Sequence, residues 1–197
     1  MTKTFNVRTM LFIGAALFAL GGAMVAMPAY SHAENTVMVG GAAMYPSKDI
    51  VENASHSKDH TTLVAAVKAA GLVETLQSPG PFTVFAPTNA AFDKLPEGTV
   101  ATLLKPENKE KLASILTYHV VSGKLTASDL EKKASEMGGK VELKTVEGAE
   151  ITVMKDAKGH WWVADNSGNK AQITIADVLQ SNGNIFVIDT VLLPKAE

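Results

Sequence analysis

The stretch that decides the fold lies near the C-terminus: Asn182-Gly183-Asn184-Ile185-Phe186-Val187-Ile188-Asp189-Thr190-Val191-Leu192-Leu193-Pro194. Successive side chains of a strand point to opposite faces. Between Ile185 and Leu193 apolar residues fill both parities, so both faces are apolar and the strand is expected at the buried centre of a sheet. Phe82-Thr83-Val84-Phe85-Ala86 reads the same way. Pro87 ends it, and Thr88 or Asn89 is placed to cap a short helix carrying Ala90, Ala91, Phe92 and Leu95.

Around these two strands the hydrophobic period divides the chain. Before Gly138-Gly139 it is mainly helical. Asp49–Ala54 offers a short helix. Leu63, Val64, Val67 and Ala70 recur at helical spacing, with Asp59 as the expected N-cap and Gly71 as the stop. Leu112, Ile115, Leu116 and His119 share one stripe of a helix over Glu107–His119. Thr126-Ala127-Ser128-Asp129 resembles a capping box and predicts a helix over Ser128–Glu136. After the glycine pair the period is 2, in Val141/Leu143, Ile151/Val153 and Ile173/Ile175. Asp156–Gly159 and Asp165–Asn169 read as turns. Helices first and strands second, without βαβ alternation, give an α+β class with an antiparallel sheet.

Lys3 and Arg8 precede an uncharged run from Leu11 to Met27, and Ser31-His32-Ala33 follows. That pattern fits a secretory signal over residues 1–33 cleaved before Glu34, leaving no stable membrane anchor. Residues 34–46, with Gly40-Gly41-Ala42-Ala43, read as a flexible lead-in, and residues 47–194 as one domain. Arg8 is the sole arginine, so the exported part lacks a bidentate clamp for phosphate or carboxylate. Cysteine is absent, which excludes disulfides, thiolate metal sites, a cysteine nucleophile and an acylated cysteine. A net charge of −2 gives no electrostatic reason to expect nucleic acid.

Three segments carry a family resemblance. Thr83-Val84-Phe85-Ala86-Pro87-Thr88-Asn89-Ala90-Ala91-Phe92 resembles the first signature of the fasciclin domain, and Asn182–Pro194 resembles the second. Ile115-Leu116-Thr117-Tyr118-His119-Val120-Val121 is similar to the tyrosine-histidine segment between them. The resemblance covers Ser47 to Pro194. It implies a wedge-shaped β-sandwich with a cluster of α-helices on one side. It also implies a secreted, non-catalytic, monomeric adhesion or matrix module whose partner is an extracellular or cell-surface protein or glycan. The alternative it leaves open is a periplasmic or extracellular carrier of a small apolar ligand such as a carotenoid or lipid. No cofactor is implied. Phe186 stands where the family usually has histidine, and Asn184 where it has an aliphatic residue.

The candidate interaction residues are Ile115, Leu116, Tyr118, His119, Val120, Val121 and Trp162. His119 lies on an apolar stripe and reads either as a hydrogen-bonded structural histidine or as part of an adhesive patch. Tyr118 is about 100° off that stripe and is expected to reach the surface. Trp161 and Trp162 face opposite sides of a strand, so one is expected in the core and the other outside. His56 and His60, with Glu52 and Asp59, have metal-ligand spacing, but Ser57-Lys58-Asp59 reads as a helix start between two solvated histidines. Asp189, among apolar neighbours, needs a donor, with Thr88 and Asn89 as candidates. Asp165–Asn169 lacks the distal glutamate of a calcium loop. Asn53-Ala54-Ser55 is a glycosylation sequon, meaningful only in a eukaryotic host.

Overall fold

The structure is a computed structural model that describes residues 35–195. The signal-peptide expectation for residues 1–33 lies outside them. The chain runs β1 (Val37–Val39), β2 (Ala42–Met44), α1 (Ile50–His56), α2 (Thr61–Ala70), α3 (Val73–Gln77), β3 (Phe82–Pro87), α4 (Asn89–Asp93), α5 (Thr99–Leu103), α6 (Lys109–Tyr118), β4 (Val120–Ser122), α7 (Ala127–Glu136), β5 (Lys140–Lys144), β6 (Glu150–Lys155), β7 (Trp161–Ala164), β8 (Lys170–Gln180) and β9 (Gly183–Ile188).

Seven strands form one sheet in the order β4-β3-β9-β8-β7-β6-β5. The sheet curls until its ends meet: Val121 bridges Thr145, and the Val146 amide donates to the Val120 carbonyl at 2.7 Å. The expected antiparallel sheet needs one correction, because β3 and β9 pair in parallel. Parallel neighbours require a long crossover, and here everything between the two signature strands supplies it. At the start of this pair Gly183 faces Phe82, and a Cβ there would lie 2.2 Å from the Phe82 carbonyl oxygen, so only glycine fits.

Both signature strands are apolar on two faces because each serves two cores. Val84, Ala86, Ile185 and Val187 pack under α1, α2 and α6. Phe85, Phe186 and Ile188 point into the curl of the sheet, with Val141, Ile151, Val153 and Val163. Phe85 and Phe186 stack there at 5.5 Å, and their two rings fill the curl.

Two further expectations are corrected. The lead-in expected over 34–46 is ordered from Val37 to Met44, where Gly40 and Gly41 at φ 57° and 76° make the two-residue turn of the β1–β2 hairpin. Its Val39 and Met44 are buried against the helix-side core. The long strand over 185–193 stops at Ile188. Asp189 turns the chain out of the sheet, its carboxylate accepting from the Gln172 amide at 2.8 Å, from Thr190 and from Lys94. Val191 and Leu192 remain buried without being a strand.

Candidate functional site

The tyrosine-histidine segment joins the end of α6 to β4. His119 is the C-cap of α6 and is 2% exposed. Its Nδ1 faces the Ile115 carbonyl at 2.8 Å and its Nε2 faces the Leu192 amide at 3.0 Å. A carbonyl needs a donor and an amide needs an acceptor, so the geometry selects the neutral ring protonated on Nδ1. Burial holds its pKa down to about 4, against partial opposition from the Ile115 hydrogen bond and the Asp165 charge. His119 thereby latches the C-terminal strap, residues 190–193, onto α6.

Tyr118 is the clearest departure from expectation, since its side chain is fully buried and not at the surface. Its hydroxyl donates to the Glu150 carbonyl at 2.9 Å and accepts from the Asn166 amide at 3.1 Å. Burial pushes its pKa up. A helical wheel assigns one inner face, whereas α6 is covered by helices on one side and by the curled sheet on the other. Ile115, Leu116 and Val120 lie in the helix-side core and Val121 in the curl. Six of the seven candidate interaction residues are therefore interior.

Trp162 is the exception. It is half-buried on β7, in register between Met154 of β6 and Gln172 of β8. Its indole Nε1 donates to the Asp156 carboxylate at 3.2 Å. Asp156 also accepts from the His160 amide, the Lys158 amide and the His160 ring. These bonds, led by the His160 amide, hold its carboxyl down to about 2. The indole is thus fixed in orientation by an ionised turn residue. Trp161 is half-buried on the opposite face, under Lys155, which pairs with Glu131 at 2.6 Å. Neither tryptophan is fully inside.

The histidine pair separates in space. His56 is exposed against the Glu52 carbonyl, whereas His60 is buried with Nδ1 on Ser57 Oγ at 2.9 Å. Among the described residues its Nε2 makes no hydrogen bond of normal geometry. Burial lowers the His60 pKa, and the Ala86 backbone and Asp59 charge offset only part of this. Among the described residues no group of His, Cys, Asp or Glu is placed to hold a metal. The α2 cap expected from Asp59 is not formed; a 3₁₀ turn at 58–60 leads into the helix instead. Thr88 caps α4, and Asn89 clasps Lys58 and Thr62, so neither serves Asp189.

Asn53 of the sequon is 1% exposed and bonded to Tyr45 and Gln180, which closes it to glycosylation in the folded chain. Asn182 links Ile50, Leu76 and Ser78. Asn184 donates to Leu125 and to Asp177. These buried amides tie α1, α3 and the β4–α7 loop to β8 and β9. Sequence reasoning gave them no structural role; the signal was clearest at Asn184, an amide within an otherwise apolar strand.

A second feature was also unread. Between α1, α2, α3 and the two signature strands lies a cavity of about 40 Å³. Val51, Val64 and Val73 stand at its rim, and Ala86, Leu116 and Ile185 at its floor. Among the described residues Lys68 is the only charged one that lines it.

A fasciclin domain model matches residues 58–194. The chain belongs to the fasciclin domain family. This fasciclin chain is 47% identical to Protein sll1483 of Synechocystis, over 95% of itself and 96% of that protein. It is 34% identical to the cell surface glycolipoprotein MPB83 of Mycobacterium bovis, over 84% of itself and 69% of that protein. A solved FAS1 domain pair from the insect cell adhesion molecule Fasciclin I superposes with TM-score 0.66 at 24% identity, a likeness of fold. The match covers 78% of this chain and about half of that one, 52%. No helix among the described residues is long and apolar enough to cross a membrane.

Proposed function

We propose that this fasciclin chain is an exported, non-catalytic module that works by contact with a cell-surface or extracellular protein or glycan. The observation that supports this most is the pinned indole of Trp162, half-open on the outer sheet face. An aromatic ring whose orientation is fixed loses little entropy on binding. The cell-surface name of the mycobacterial relatives points the same way. The partner contact is assigned to Trp162 with Asp156 and Gln172, and the buried tyrosine-histidine segment supports the scaffold behind it. The test is attachment of a deletion strain complemented with wild type or Trp162→Ala. Loss of attachment with an unchanged melting temperature supports the reading, and full attachment by Trp162→Ala refutes this site. The exported protein is expected to begin at Glu34, which N-terminal sequencing checks.

A second reading, a carrier of a small apolar ligand, is favoured by the apolar cavity under α1 and α2. Native mass spectrometry of the secreted protein tests it by the presence or absence of a bound apolar molecule.

A further inference from the structure

We propose that the cavity under α1 and α2 is a site for an unbranched aliphatic monocarboxylate, its methyl end at Ala86 and Ile185 and its carboxylate at Lys68. The proposal rests on the carrier reading and goes further by naming the chemical class.

Three observations carry it. The lining is hydrocarbon throughout its depth. His119 contributes only ring surface, because both of its nitrogens are already bonded to Ile115 and Leu192. Nothing inside the cavity rewards a polar group, and burying one unpaired there is costly.

The size selects the shape. At about 40 Å³ the void is roughly a quarter of the 150 Å³ that accepts benzene in a dry apolar cavity. A ring does not fit, whereas the end of a linear chain does, with its remaining methylenes lying in the open cleft. Ala54 on α1 and Ala86 on β3 keep it open, since a larger aliphatic side chain at either position would occupy it.

The charge selects the head. Lys68 lies in the last turn of α2, exposed at the rim. Among the described residues its ammonium makes no ion pair and no hydrogen bond. Among the described residues no carboxylate lines the cleft to compete for it. An ammonium that snorkels past apolar wall to water complements an anionic head at the mouth of an apolar slot. At the adjoining helix end the Gly71 and Leu72 amides cap the Lys68 and Val67 carbonyls, two of the four that the last turn leaves open.

The test is titration calorimetry of the full exported chain at pH 7.5 with hexanoate, octanoate, decanoate, decanol, decyltrimethylammonium and benzoate, each below its aggregation concentration. Decanoate is expected to bind at least tenfold tighter than decanol or the ammonium. Affinity should fall with each methylene removed, by up to about fourfold, from ~0.8 kcal/mol per fully buried CH₂. Lys68→Glu is expected to remove the preference for carboxylate while sparing decanol. Ala54→Leu is expected to abolish binding of both; if it does not fold, Val64→Phe at the rim serves instead.

Decanol binding as well as decanoate would overturn the carboxylate assignment and leave the carrier reading standing. Benzoate equal to decanoate would overturn the linear-chain assignment. Absence of binding by every probe, together with native mass spectra free of ligand, would remove both the proposal and the carrier reading.

Discussion

Substituting His119 tests the scaffold most sharply. In the native state its ring must be neutral, because the imidazolium would set a second N–H against the Leu192 amide. The folded pKa of about 4 lies below the ordinary 6.5, so between these values the unfolded chain binds the proton first. Stability therefore rises with pH through this window. It is complete above about pH 6.5 and is lost as pH falls towards 4, by roughly 3 kcal/mol in all from this residue. His60, whose pKa is also lowered by burial, adds a loss of the same sign.

At pH 7.5 His119→Ala leaves the Leu192 amide and the Ile115 carbonyl without their side-chain partner and enlarges the void beside the apolar cavity. The expected cost is about 2–4 kcal/mol. The informative quantity is how that cost changes with pH. Urea melts followed by tryptophan fluorescence at pH 7.5, 6, 5 and 4 give wild-type and variant curves that converge as pH falls, because alanine has no proton to bind. His60 is common to both proteins and cancels in the difference. Parallel curves, or a cost under ~0.5 kcal/mol at pH 7.5, would refute the neutral-latch reasoning. A fully stable His119→Ala that no longer attaches to its partner would move the contact site to this segment.

Phe85→Ala and Ile188→Ala should each cost about 2–5 kcal/mol in urea melts, since both side chains are fully buried in the curl. Tyr118→Phe keeps the ring but orphans the Glu150 carbonyl and the Asn166 amide, and should cost about 1–2 kcal/mol. Asp156→Asn should leave the fold intact but loosen the indole, read as a red-shifted or broadened Trp162 emission in a Trp161→Phe background. Produced in a eukaryotic secretory host, the folded protein should carry no glycan on Asn53, which intact-mass measurement checks.

Composition and period alone determined much of this protein. Two strands apolar on both faces sit at the centre of the sheet, because period-2 alternation shows which faces are dry wherever the dryness comes from. The α6 stripe, the Thr126 cap of α7 and the turns at 156–159 and 165–169 were equally legible, since caps and turns are settled by residues within a few positions of each other.

What local pattern could not supply was the identity of the neighbours. The parallel pairing of β3 with β9 joins segments about a hundred residues apart, and no residue in either strand encodes direction. Tyr118 is read outward on a helical wheel, yet the sheet curls over that side of α6 and gives its hydroxyl two backbone partners. Asp189 is satisfied by Gln172 and Lys94 in place of the first signature, because the strand leaves the sheet one residue after Ile188. The apolar cavity is lined by residues such as Ala54 and Ala86, on elements that are remote in sequence. Distances along the chain govern caps and periods, whereas voids, partners and exposure follow from how the elements close on one another, and that was decided by the tertiary structure alone.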